Sequence, residues 1–214
     1  MGDDYTNRQI LLANRSVTRD DVVEAIRMSM KSNGYMEDYT DAANRRIAIG
    51  PEGKWLSVYD SAGSGEDWDE PAFVRLSEDL SRLAPLVETR MDDSASVQFQ
   101  LYFSGALVAQ HRSDPDRASG AVLWPEAPPG DNADLWAVVF QDPALAQRLR
   151  TAWSAENPDE ILSNVADVLD WHPLYCTSGY TIDYDGVPVY FREYFADDGV
   201  DVSGFTEMHF RRKR

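Results

Sequence analysis

The stretch from Trp55 to Asp60 constrains this chain more than any other. Successive side chains of an extended strand point to opposite faces. Trp55, Ser57 and Tyr59 therefore share one face, while Leu56 and Val58 share the other. Both faces carry large apolar groups to bury. This predicts a central strand on which the surrounding elements are assembled.

Those elements follow from local patterning. Gln9 to Ala13 is a short apolar run that reads as a first strand. Thr18 stands three residues before Asp21, an approximate capping box, and Val22, Val23, Ile26 and Met30 recur at helical spacing up to Asn33 and Gly34. Met28 and Met30 read as core filler and flank of that helix. A polar stretch from Tyr35 to Asn44 leads to a second strand, Arg46 to Ile49. The turn residues Gly50 to Gly53 then fold the chain back into the Trp55 strand as a hairpin. Pro71 opens a second amphipathic helix carrying Phe73, Leu76, Leu80 and Leu83, and Val87 to Met91 supplies another strand. The order is β-α-β-β-α-β, which predicts a ferredoxin-like, antiparallel-rich α+β fold with its helices on one face.

Ser96 to Phe103 alternates Val97, Phe99, Leu101 and Phe103 with polar positions. Ser104-Gly105 then turns the chain into Ala106 to His111, a hairpin expected to have one buried and one wet face. Residues 113–132 are rich in Asp, Pro, Gly and Ser and read as a connector after an α+β core over 1–112. In residues 133–214, three helices are expected over 134–140, 143–153 and 158–170, with Leu145, Leu149 and Trp153 on one stripe and Ile161, Val165, Val168 and Leu169 on another. They are either a cap on the sheet or a small second lobe. Asp185-Gly186 predicts a C-terminal β-hairpin, and Phe205 to Phe210 adds a strand. The basic end, Arg211 to Arg214, reads as a solvated terminus.

Composition narrows the function classes. Hydrophobic residues make up 43% of 214 residues, enough to fill a core. A net charge of −17 argues against a nucleic-acid binder, whose phosphate affinity needs clustered cations, and favours a basic macromolecular partner. The single cysteine, Cys176, forms no intrachain disulfide and no thiolate zinc site. Met1 to Tyr5 lack a leader pattern, and no run approaches the roughly 20 apolar residues that span a bilayer. A cytoplasmic protein without membrane association is expected.

Three stretches are candidate sites. Glu66, Asp67, Trp68, Asp69 and Glu70 form an acidic loop around an aromatic. It suits a basic partner, although Asp69 and Glu70 also complement the following helix dipole, and the spacing of a calcium loop is missing. Asp92-Asp93-Ser94 has acid–base groups but also the composition of a turn. His172 and Cys176 stand four apart, which suggests a nucleophile and base; with Asp93 they define the alternative reading, a small hydrolase or transferase. The phosphate-loop, dinucleotide, nucleophile-elbow and zincin motifs are all missing, and neither a metal nor a cofactor is expected.

The segment Trp55 to Ser61, the acidic loop, the helix ending near Leu83-Ala84, Asp93-Ser94 and the hairpin from Leu101 to Gly105 together resemble a group of bacterial immunity proteins of toxin systems. This resemblance covers about the first half of the chain and brings no catalytic residue. It implies a small acidic protein that occupies the surface of a cognate toxin. On that reading the partner-binding residues are Glu66, Asp67, Trp68, Asp69 and Glu70 with Asp183, Tyr184, Asp185 and Tyr190. A structural or regulatory homo-oligomer is a further alternative.

Overall fold

The computed structural model describes residues 5–13, 16–63, 71–92, 96–113, 132–176 and 202–213. Its first helix, α1 (Arg19–Ser32), begins where the sequence places it. The Thr18 hydroxyl accepts from the Asp21 N–H at 3.3 Å, and the Asp21 carboxylate accepts from the Thr18 N–H at 2.8 Å, a reciprocal cap. Val22, Ile26 and Met30 form its buried stripe, whereas Met28 is 64% exposed.

Among the described residues eight strands form one sheet: β1 (Tyr5–Leu11), β2 (Tyr35–Glu37), β3 (Arg45–Ile49), β4 (Trp55–Asp60), β5 (Leu86–Asp92), β6 (Ser96–Phe103), β7 (Ala106–Arg112) and β8 (Thr206–Arg212). Their order is β2-β8-β3-β4-β1-β5-β6-β7, and every neighbouring pair is antiparallel. The fold is α+β. Strand β4 lies inside the sheet between β3 and β1, as two apolar faces require.

Helices cover both faces of the sheet, not one. α1 and α2 (Pro71–Ser81) bury Ile10, Leu56, Val58 and Leu86 against Ile26, Leu76 and Leu80. On the opposite face α3 (Ala133–Phe140), α4 (Leu145–Trp153) and α5 (Pro158–Leu169) bury Val97, Phe99 and Leu101 against Trp136, Leu149 and Val165. The C-terminal helices are thus a cap on the sheet. α6 (Pro173–Cys176) is a single turn that follows them.

The β6–β7 hairpin turns through Ser104 and Gly105, both at positive φ (54° and 85°), the backbone its two-residue turn demands. It has no wet face along β6. Gln100 and Tyr102 are 2% and 0% exposed, and the Tyr102 hydroxyl donates to Gln100 Oε1 at 3.2 Å. Polar side chains that serve one another can be buried, so alternation alone misread this face.

The polar stretch after Gly34 begins with β2, which pairs with β8. The basic end is not a loose terminus through Lys213. β8 is inserted between β2 and β3, Arg211 Nε meets Asp38 at 2.9 Å, and the Lys213 N–H donates to the Gly34 carbonyl at 2.8 Å. Among the described residues no helix is long and apolar enough to cross a membrane. The expected Asp185-Gly186 hairpin and nearly all of the 113–132 connector lie outside the described residues.

Candidate functional site

The central strands are polar on both faces toward one rim of the sheet. On the α1/α2 face, Arg8 of β1 stands opposite Glu88 of β5, with Asp60 at the end of β4. Arg8 Nε donates to Ser77 Oγ at 2.7 Å and lies 3.0 Å from Glu88 Oε2. Ser77 Oγ donates in turn to that oxygen at 2.5 Å. Arg45 grips Asp60 with Nε at 3.0 Å and Nη2 at 2.6 Å, and Arg8 Nη1 approaches it at 3.6 Å. All four charged residues are 2% exposed or less. Two guanidiniums face two carboxylates, which balances charge in a place where an isolated ion is costly.

The two carboxylates are tuned apart. Burial pushes Asp60 up, but the double contact from Arg45, with Arg8 behind it, outweighs this and holds the acid below the usual Asp value. Glu88 is raised above the usual Glu value by burial, which the opposing pull of Arg8 and the Ser77 hydroxyl does not cancel.

This network also joins the two described stems that flank the acidic stretch in sequence, Ser61–Gly63 and the start of α2. The Asp60 carboxylate accepts the Ala62 N–H at 3.1 Å on one stem. On the other, Arg8 Nη2 donates to the Phe73 carbonyl at 3.1 Å, and its guanidinium lies 3.9 Å from the Phe73 ring centre. Arg8 therefore bridges both stems.

The opposite face repeats the device with neutral groups. Asn7 Nδ2 donates to the Cys176 carbonyl at 2.7 Å, while Gln9 Nε2 and the Tyr59 hydroxyl donate to the Tyr175 carbonyl at 3.2 and 2.8 Å. Ser57 Oγ orients Gln9 through its Oε1 at 2.9 Å. The Tyr175 ring meets Phe205 edge-on with centroids 5.5 Å apart. Tyr175 and Phe205 thus meet beside Tyr59 of β4. Adjacent residues of β1, Asn7 and Arg8, hold the Cys176 and Phe73 carbonyls on opposite faces.

Strand registry extends the pattern. Tyr5 pairs with Met91, Met91 with Val97, and Gln98 with Arg112, so the end of β5, the start of β6 and the end of β7 also lie at this rim. Every expected partner-binding residue, Glu66, Asp67, Trp68, Asp69, Glu70, Asp183, Tyr184, Asp185 and Tyr190, lies outside the described residues, as does Asp93. Their flanking anchors converge on the rim. Arg8, Asn7, Gln9 and Asp60 escaped sequence reasoning, and the available signal was the unbroken polar run from Thr6 to Gln9 ahead of an apolar strand end.

His172 and Cys176 do not form a nucleophile and base. The buried thiol donates to the Pro173 carbonyl at 3.2 Å, and the His172 ring stacks on Tyr175 with centroids 4.0 Å apart. Burial pushes the thiol up to about 12, opposite to what an activated cysteine needs. Among the described residues no group of His, Cys, Asp and Glu is arranged to hold a metal. At the far end of the sheet a cleft of about 400 Å³ opens between Trp55, Phe140 and Leu145, crossed by the Lys54–Asp170 pair at 2.7 Å. Trp55 Nε1 is committed to the Leu169 carbonyl at 2.9 Å. No family model matches the chain, and no curated protein or solved structure matches it either.

Proposed function

We propose that this chain is a non-enzymatic, acidic binding protein of immunity type that occludes a cognate, basic toxin. One observation carries the reading. Phe73 and Cys176, described residues that flank the two candidate segments in sequence, are held by the adjacent residues Arg8 and Asn7 at one rim of the sheet. Loops on a rigid scaffold are where binding residues concentrate. The charge of −17 supplies long-range attraction for a cationic partner. Glu156, Asp159, Glu160 and Asp167 add to it, being exposed and without a basic partner among the described residues. The inner strands, in the order β3-β4-β1-β5 with α1 and α2 on one face, support a ferredoxin-like core. The lone cysteine fits a cytoplasmic setting.

The test is capture with the full-length tagged protein from its host at low salt, followed by mass spectrometry. The expected result is one stoichiometric basic partner, with capture reduced roughly thirtyfold by Trp68→Ala combined with Asp67→Asn and Asp69→Asn, the scale of one aromatic hot spot plus its charges. Undiminished capture by that variant, or no partner under mild salt, would overturn the reading.

A further inference from the structure

The end of the sheet opposite the polar rim carries an open groove. Trp55 begins β4 and pairs with Leu11, the last residue of β1, so the cleft of about 400 Å³ beside its ring lies where the one strand starts and the other stops. Phe140 meets the Trp55 ring at 60° with centroids 5.8 Å apart, and Trp171 meets it edge-on at 5.7 Å. With Nε1 held by the Leu169 carbonyl, the indole is fixed in one pose, and Leu145 and Val168 continue its apolar wall.

Helical spacing builds the rest. Asn164, Asp167 and Val168 share one face of α5, and Gln147, Arg148 and Thr151 share one face of α4. Between these faces lies a second cleft of about 390 Å³, where the buried Ala152 offers only a methyl group. Arg148, Asp167 and Val168 line both clefts, so the two form one groove, aromatic at one end, charged at the waist and lined by carboxamides at the other.

Charge at the waist selects the ligand. Lys54 is paired with Asp170 at 2.7 Å, and Arg148 with Asp142. Asp142 also accepts the Ala144 N–H at 3.0 Å and so answers the positive end of α4. Asp167 is left over: it is exposed, and among the described residues it has no basic partner. It stands in the last turn of α5, where the helix dipole adds negative potential. A groove of this size with an apolar end and a few converging polar groups has the build of a small-molecule site. Aromatic rings beside an unpaired carboxylate attract a cation, through the ring quadrupole and through charge. The Gln147 and Asn164 carboxamides, which hold no hydrogen bond among the described residues, can serve a polar tail. We propose that this groove binds a small organic cation, an amine with an aryl or alkyl body, which rests its body on Trp55 and Phe140 and sets its ammonium group against Asp167. The groove lies at the far end of the sheet from the rim, so this site stands apart from the partner reading above.

Titration of the isotope-labelled full chain with phenethylammonium tests it, followed by NMR at the Trp55 indole N–H, assigned by its loss in Trp55→Phe, and at the Asp167 and Val168 amides. These signals are expected to shift together and saturate. Phenethyl alcohol and phenylacetate, the neutral and anionic analogues, should bind roughly tenfold more weakly or worse, and Asp167→Asn should weaken phenethylammonium to the same extent, the scale of one charge-assisted hydrogen bond. Phe140→Leu should cost about threefold, the scale of an exposed cation–π contact. Glu160→Gln removes the same charge from α5 outside both clefts and should leave the affinity unchanged. Asp167 is exposed, so its amide variant keeps the fold, which the undisturbed remainder of its spectrum verifies. No saturable shift at tens of millimolar, equal binding of all three compounds, or equal losses in Asp167→Asn and Glu160→Gln overturns the proposal. Saturation confined to signals away from the groove would assign the cation to another acidic patch and overturn it equally.

Discussion

Asp60 is the residue on which the rim depends, because both buried guanidiniums reach it and it also caps the stem of the acidic loop. Asp60→Asn leaves Arg45 and Arg8 inside the protein with one counter-charge, and is expected to cost about 3–5 kcal/mol at neutral pH in chemical denaturation. The pH dependence has a definite sign. The folded state holds this carboxyl below its unfolded value, so its contribution is present above the unfolded pKa and is lost as pH falls through the folded one. The stability gap between wild type and Asp60→Asn should therefore narrow on acidification. Glu88 acts in the opposite direction, since its raised folded value makes protonation favour the fold. Cys176 gives a second check at this scale: with the thiol pushed up to about 12 and buried, alkylation of the native protein should track unfolding, and a fast native reaction would contradict the assigned burial.

At the scale of elements, what could be read in the sequence divides by how local the cause is. α1 was legible because its stripe of Val22, Ile26 and Met30 and its Thr18 cap lie within a few residues of one another. Thr18→Ala should cost about 1 kcal/mol, measurable as a lowered midpoint of thermal unfolding. α4 and α5 were equally legible, and Leu149→Ala, which opens a cavity in the core that Trp136 shares, is expected to cost about 2–5 kcal/mol. The Trp55 strand declared its central place through its two apolar faces. β1 was located only in part, because Asn7, Arg8 and Gln9 look like exposed residues until Ser77, Glu88, Tyr175 and Cys176, distant in sequence, arrive to pair with them. β8 was legible as a strand, but its insertion between β2 and β3 depends on pairing across more than 150 residues, which no local pattern encodes. Ending the chain before Thr206 should separate β2 from β3 and abolish the single cooperative unfolding transition; retention of that transition would contradict the role given to β8.

Across the described residues, the sheet acts as a platform with an apolar interior between helical layers and a polar rim that holds Phe73, Tyr175 and Cys176. The candidate site was legible in composition, through the carboxylates around Trp68 and those around Tyr184, but not in position. The two segments stand over a hundred residues apart, and only the register that sets Asn7 opposite Tyr59 and Arg8 opposite Glu88 brings Phe73 and Cys176, which flank them in sequence, to one rim. If the rim is an electrostatic landing surface, its field extends about one Debye length, roughly 8 Å at physiological salt, and encounter must slow as salt rises. The measurement that tests this most directly is the association rate of the captured partner from about 0.02 to 0.5 M salt, for wild type and for a variant with Glu66, Asp67, Asp69 and Glu70 changed to their amides. A steep fall in wild-type on-rate, flattened in the variant, is the predicted result. An on-rate equally insensitive to salt in both proteins would contradict the acidic rim as the site of partner recognition.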